Sequence, residues 1–151
     1  MDGLEDFIVR AKAATCIGNG AVAEASRPSS HDLTFADGDW LYRDSYFGGT
    51  DFIGQEVVWH HGTPVWAMNY YGFIFRDDLM TGADGGRVIK AALSAMYAEG
   101  RFLGGFRHAQ GQFTYDDESS GTYRSFRGVE QISVRGEPAY RLDYHGGLIR
   151  P

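Results

Sequence analysis

Apolar residues recur with the spacing of one helix face, i, i+3, i+4 and i+7, in two stretches of the chain. The first set is Leu4, Phe7, Ile8 and Ala11, and the second is Val88, Ile89, Ala92, Leu93 and Met96. This pattern predicts helices over residues 4–15 and 86–98. Each helix would pack its apolar face against another element.

Runs rich in β-branched and aromatic residues follow each helix and favour strands. After the first helix they predict strands near residues 31–35, 40–47, 51–60 and 63–75, and a similar set is expected after the second helix. The segments ADGD, HHGT and VRGE separate neighbouring strands. Each places a glycine where a tight hairpin needs a positive φ.

A long motif occurs twice in the chain. Matching residues recur 74 positions apart, as Phe52/Phe126, Gly54/Gly128, Glu56/Glu130, Gly62/Gly136, Pro64/Pro138, Tyr70/Tyr144 and Gly72/Gly146. Upstream, ADGDWLY at residues 36–42 returns as AQGQFTY at residues 109–115, with a spacing of 73. Self-similarity at a fixed spacing indicates two related structural units.

We therefore predict one α+β domain over residues 1–151, with a mostly antiparallel sheet. It would consist of two similar α-β-β-β-β halves, about 1–76 and 86–151, that arose by internal duplication and pack with pseudo-twofold symmetry. The segment DDLMTGADGG, residues 77–86, would join them. Neither half is expected to bury enough apolar surface to be stable alone.

The matched residues between 52 and 72 are all even-numbered, so they share one face of a strand hairpin. A three-residue loop around Gly62 would place residue 58 opposite 64 and residue 56 opposite 66. The preserved face is apolar and aromatic, with one glutamate in each half, Glu56 and Glu130. The odd-numbered face, which includes Trp59 and Tyr71, differs between the halves.

A carboxylate on an apolar face needs an explanation, because burying an unpaired charge costs several kcal/mol. In a structural interpretation, each glutamate accepts hydrogen bonds from a tyrosine hydroxyl or from backbone amides. In a functional interpretation, Glu56 and Glu130 anchor a ligand in a cavity with walls formed by Trp66, Tyr70, Tyr140 and Tyr144. Such a cavity suits a small apolar or cationic ligand, through ion pairing and cation–π contact.

Composition narrows the class of protein. The net charge of −6 and the lack of a basic cluster argue against direct binding to nucleic acid. No apolar stretch approaches the ~20 residues of a membrane span, and the N-terminus is too weakly apolar for a secretory signal. The single cysteine, Cys16, cannot form an internal disulfide. We therefore expect a cytoplasmic protein without a metal or cofactor.

His31 and Asp32 follow two serines and suggest a Ser-His-Asp triad. Adjacent residues on a strand point to opposite faces, however, so the two side chains cannot form the hydrogen bond that a triad requires. Cys16 has no neighbouring base in the sequence that would make it a nucleophile. We assign no catalytic residue.

Several long segments resemble a known family. They are SRPSSHDLTF (26–35), LYRDSYFGGTDFIGQEVVW (41–59), GTPVWAMNYYG (62–72) and the closing YHGGLI (144–149). The family is a bacterial domain of unknown function that occurs as a short stand-alone cytoplasmic protein or behind an Xre-type helix-turn-helix. The resemblance implies a role as a sensor. This chain departs from the second arrangement, because it has no room for a helix-turn-helix.

Three hypotheses about function remain open. The first is a small-molecule-binding sensor or accessory domain. The second is a hydrolase that uses Glu56 and Glu130 as acid and base, with a carboxyl separation suited to glycoside chemistry. The third is a protein–protein interaction module that uses exposed aromatic residues on the odd-numbered face. A homodimer is compatible with each.

Overall fold

The computed structural model describes residues 2–16 and 21–151. Within them two helices are formed, α1 (Leu4–Cys16) and α2 (Gly82–Ala98). The strands are β1 (Ala21–Ala23), β2 (His31–Asp37), β3 (Trp40–Gly48), β4 (Phe52–His60), β5 (Thr63–Ile74), β6 (Phe106–Gln110), β7 (Phe113–Thr122), β8 (Ser125–Val134) and β9 (Glu137–Leu148). The predicted helices and strands are present, and β1 is an additional strand that the pattern did not predict.

The strands form one antiparallel sheet in the order β1-β2-β3-β4-β5-β9-β8-β7-β6. The last strand of each chain half, β5 and β9, therefore pair at the centre. Helix α1 packs on β2 and β3, α2 packs on β6 and β7, and the two helices contact each other. The α+β class with an antiparallel sheet is confirmed.

Helix α2 begins at Gly82, four residues before its predicted start. The three glycines of its first five residues hide the start, because glycine is a poor helix former. A capping box supplies the missing stability: the Thr81 side chain accepts a hydrogen bond from the Asp84 amide, and the Asp84 carboxylate accepts one from the Thr81 amide.

The hairpin loops differ from the predicted three-residue form. His61 and Gly62 have φ of 49° and 76°, and Arg135 and Gly136 repeat these values closely at 49° and 84°. Positive φ at both central residues defines a two-residue type I′ loop. Together with a bulge between Val58 and Trp59, this loop places Val58 opposite Trp66 rather than residue 64, and Glu56 opposite Met68 rather than residue 66.

The β4–β5 and β8–β9 hairpins pair in the same register. Phe52 lies opposite Gly72 and Phe126 opposite Gly146, and each hairpin is bulged at the same step, between Val58 and Trp59 or between Ile132 and Ser133. The bulge offsets the shorter loop, so even-numbered residues still share a face. That face lies under the helices and forms the core, and within residues 2–16 and 21–151 neither helix packs on the odd-numbered face.

Candidate functional site

Two pairs of carboxylates lie on the helix-covered face of the sheet. Asp44 on β3 is directly opposite Glu56 on β4, and Asp117 on β7 is directly opposite Glu130 on β8. Directly opposed side chains have Cβ atoms about 4.5–5.5 Å apart. Each pair therefore places two acidic groups side by side beneath the helices, where Glu56 is 7% exposed and Glu130 is 8% exposed.

Lys12 of α1 neutralises Glu56 of the first pair. Its Nζ lies 2.9 Å from Oε1 and 2.7 Å from Oε2 of Glu56, so one ammonium contacts both carboxylate oxygens. The same Nζ lies 3.1 Å from Met68 Sδ and 5.4 Å from the centre of the Phe102 ring. The cation expected beside Glu56 is thus supplied by the chain itself.

A tyrosine accompanies each carboxylate pair. The Tyr70 hydroxyl donates a hydrogen bond of 2.6 Å to Asp44, and the Tyr144 hydroxyl donates one of 2.7 Å to Asp117. Each tyrosine ring crosses a glycine on the neighbouring strand, Gly54 or Gly128, where a Cβ atom would overlap the ring and its hydroxyl. The repeated glycines therefore make room for tyrosines that hydrogen-bond aspartates.

A cavity of about 380 Å³ lies between the sheet and the two helices, with lining residues from both halves of the sheet. Its polar lining includes Lys12, Asp44, Glu56, Tyr70, Glu130 and Tyr140. Apolar side chains from the sheet and from α2 complete it, including Phe52, Met68, Ile74, Ile89, Leu93 and Leu142. Its volume falls within the range of small-molecule sites.

Asp44 has a strongly perturbed acidity. Burial raises the pKa of its carboxyl group, the neighbouring Glu56 carboxylate raises it further, and Tyr70 and Lys12 lower it in part, with a result of about 7. No cationic side chain in the described ranges lies within ion-pairing distance of Asp44. Asp44 is therefore poised to gain or lose a proton at neutral pH.

The pKa of Glu130 is also raised. Burial raises the pKa of its carboxyl group, Asp117 raises it further, and Tyr115 and Lys12 oppose them, with a result of about 8. Its Oε2 atom and the Tyr140 hydroxyl have no hydrogen-bond partner among the residues that the structure describes. Glu130 is thus a buried carboxylic acid at neutral pH.

The six residues predicted to form the site do not all reach the cavity. Glu56, Glu130, Tyr70 and Tyr140 line it. Trp66 and Tyr144 lie outside it: the Trp66 indole donates to the Tyr123 carbonyl, and Tyr144 points to Asp117. The side chains of Trp66 and Tyr144 are thus held by partners that do not line this cavity.

Sequence reasoning missed Asp44, Asp117 and Lys12. The aspartates are 73 positions apart, the spacing of the upstream repeat, so that repeat could have revealed them. Lys12 continues the stripe of Leu4 and Ile8 at i+4 spacing, which places a cation on the apolar face of the helix. A lysine there is a signal for a buried acidic partner.

The remaining candidates lack catalytic geometry. Asp32 accepts hydrogen bonds from Ser30 and Ser45, at 2.6 and 3.1 Å, while His31 stacks near Tyr46 on the other face, so no triad forms. Burial raises the pKa of the Cys16 thiol, which disfavours the thiolate that a nucleophile needs. Across residues 2–16 and 21–151, no group of three His, Cys, Asp or Glu residues is arranged to hold a metal ion.

In that same part of the chain, neither helix is long and apolar enough to cross a membrane. Comparison with curated proteins and with solved structures gave no match. The family model of the domain of unknown function DUF5680 matches residues 44–149. The match includes both hairpins and all four carboxylates of the two pairs, and it extends over more than half of the chain. The protein belongs to the DUF5680 family.

Proposed function

We propose that this chain is a small-molecule-binding domain with a sensor or accessory role, and that its cavity takes an apolar ligand bearing a positive charge. The observation that carries the proposal is Asp44. This carboxyl group lines the cavity, while the adjacent Glu56 is already neutralised by Lys12. The ligand's cation would therefore pair with Asp44. Glu56, opposite Asp44 on β4, would add to the negative potential at the cation.

The chemistry of the cavity fits such a ligand. A cation at Asp44 favours the ionised carboxylate and relieves its repulsion with Glu56, so binding would release a proton near neutral pH. Tyr70 would keep the carboxylate oriented through its hydrogen bond. The apolar part of the ligand would displace water from the surfaces of Phe52, Ile89 and Leu93.

The test compares a cation with a neutral molecule of the same shape. We expect 4-phenylbutylamine to raise the melting temperature of the wild-type protein and 4-phenylbutan-1-ol to raise it much less. At a hundred times Kd, the amine would stabilise the fold by about 2.7 kcal/mol.

Asp44→Asn should abolish the preference for the amine, because it removes the charge and keeps the shape. Asp77→Asn, the same change at an exposed position, should retain the preference. If the amine and the alcohol give equal shifts in the wild type, or if Asp44→Asn behaves like Asp77→Asn, the proposal is wrong.

The sensor role, the bacterial origin and the cytoplasmic location are proposed from the family resemblance. The implied occurrence behind a helix-turn-helix supports a sensor, and it also supports a bacterial, cytoplasmic protein. The equal register of the two hairpins supports an origin by internal duplication, with the halves related by a pseudo-twofold axis between β5 and β9.

The two alternative functions differ in their support. A hydrolase needs Glu56 free to act as a base, whereas Lys12 contacts both of its oxygens. An interaction module gains support from the helix-free face of the sheet, where Ile53, Tyr71 and Phe75 are exposed. Sedimentation equilibrium would show whether the chain self-associates, and a Tyr71→Glu variant that weakens the association would assign it to this face.

A further inference from the structure

Two buried side chains on the second half of the sheet, away from Asp44, line the cavity with an oxygen atom that has no hydrogen-bond partner among the described residues. Glu130 is on β8 and Tyr140 is on the adjacent β9, and both side chains face the helices. Glu130 lies opposite Leu142, so Tyr140 is its diagonal neighbour, at a Cβ separation of about 7–8 Å. The Tyr140 hydroxyl lies over Gly72 of β5, and the Glu130 carboxyl group lies on the other side of β9, so each presents a polar group to the cavity.

Both groups carry a proton at neutral pH. Burial and Asp117 keep the pKa of Glu130 at about 8, and burial followed by Glu130 raises the pKa of Tyr140 well above its usual value. Glu130 Oε2 and the Tyr140 hydroxyl have no partner in the described part of the chain. Leaving such groups unpaired is costly, so an acceptor that enters the cavity gains affinity.

An anionic group would be disfavoured at this end. Asp117 lies beside Glu130, and Glu56 also faces the helices. Among the cavity-lining residues the cation is Lys12, and Glu56 holds its ammonium. A neutral carbonyl or ester oxygen can accept from Glu130 and Tyr140 without this repulsion, whereas a carboxylate cannot.

Building on the proposed function, we infer that the ligand is an amine with a neutral hydrogen-bond acceptor on its apolar body. The ammonium binds at Asp44, and the acceptor binds at Glu130 and Tyr140. Ile89, Leu93 and Leu142 line the apolar part of the cavity. This arrangement selects amino esters or amino ketones over simple alkylamines and over zwitterionic amino acids.

Three matched probes test this selectivity by isothermal titration calorimetry at neutral pH. Ethyl 4-(aminomethyl)benzoate carries the amine and the acceptor, 4-butylbenzylamine lacks the acceptor, and 4-(aminomethyl)benzoic acid replaces it with an anion. We expect the ester to bind roughly tenfold more tightly than the butyl compound, the gain of about one buried hydrogen bond. The acid should bind more weakly than either.

Variants assign the effect to the two donors. Glu130→Gln keeps a neutral donor and should retain the preference for the ester, while Glu130→Leu should lose most of it. Tyr140→Phe removes one hydroxyl and should reduce the preference, which keeps the test informative if Glu130→Leu folds poorly. Asp77→Asn serves again as the control with unchanged selectivity.

The outcomes separate the two proposals. Failure of all three probes to bind the wild-type protein would overturn both the proposed function and this inference. Equal binding of the ester and the butyl compound would contradict the acceptor site at Glu130 and Tyr140, but it would not contradict the cation site at Asp44. An undiminished ester preference in folded Glu130→Leu and Tyr140→Phe would show that these two residues do not provide the donors.

Discussion

At the scale of single residues, Lys12 determines the charge of the site. The Lys12 side chain is 6% exposed. Its ammonium is held between Glu56, Met68 and the Phe102 ring. A buried ion pair contributes little net stability when its desolvation is counted, but the loss of one partner leaves a buried charge. Lys12 therefore keeps the carboxylate face compatible with a folded core.

Lys12→Met should lower the free energy of unfolding by about 3–5 kcal/mol, because Glu56 would remain buried and unpaired. The double variant Lys12→Met/Glu56→Met should recover most of that loss, since both charges are removed and the volume is kept. Urea denaturation of the wild type, both single variants and the double variant measures the coupling. Additive losses in the double variant would mean that the two side chains do not stabilise each other.

At the scale of elements, each central hairpin combines a type I′ loop, a bulge and a glycine beneath a tyrosine. The loop and the bulge set the register, and the register places Tyr70 over Gly54 and Tyr144 over Gly128. The glycines are required for space at these two positions, where the tyrosine rings cross the strand. The hairpins thereby orient the hydroxyls that hold Asp44 and Asp117.

Gly54→Ala and Gly128→Ala should each destabilise the fold by about 1–3 kcal/mol, because the added methyl group displaces the partly buried Tyr70 or the buried Tyr144. Gly86→Ala is the matched control. Gly86 lies in α2 with open space around the position of a Cβ atom, so alanine there should stabilise by about 0.4–1 kcal/mol. Chemical denaturation distinguishes the cases. Neutral effects at Gly54 and Gly128 would show that the tyrosines are free to move.

At the scale of the whole molecule, buried carboxyl groups determine how stability depends on pH. The pKa of Asp44 rises from 3.8 to about 7 on folding, and that of Glu130 rises from 4.5 to about 8. Between each pair of values the folded state holds a proton that the unfolded state has lost. Stability from these groups is therefore complete below about pH 4 and declines as the pH rises towards 8.

Asp32 has the opposite effect on the pH dependence of stability, because its pKa is lowered on folding. Its burial would raise the pKa of the carboxyl group, but hydrogen bonds from Ser30, Ser26 and Ser45 outweigh burial and lower the pKa from 3.8 to about 2. Stability from Asp32 is present above pH 3.8 and is lost as the pH falls towards 2. Together the three groups place the stability maximum on the acidic side of neutrality.

Urea denaturation at about pH 5 and about pH 8 should show a lower free energy of unfolding at the higher pH, by a few kcal/mol. The variant Asp44→Asn/Glu130→Gln should show a much flatter profile, because neither replacement titrates. Asp77→Asn should keep the wild-type slope. An increase in stability over this range in the wild type would contradict the raised pKa values.

Features that depend on local spacing could be predicted from the order of the residues. The two helices, eight of the nine strands and the glycine turns follow from patterns within a few residues, and the repeat at 74 positions marked the even-numbered face. Glu56 and Glu130 were found because they break an apolar face. The loop type was misjudged, because positive φ at His61 and Arg135 depends on the twist of the flanking strands.

The partners of the carboxylates, in contrast, depend on how distant segments pack. Lys12 and Glu56 are 44 positions apart, and no local pattern shows that the helix brings this ammonium to the sheet. The same packing leaves Asp44 without a cation within ion-pairing distance in the described ranges, Glu130 protonated, and Trp66 outside the cavity. Ion pairing and burial depend on distance through space, which spacing along the chain does not specify.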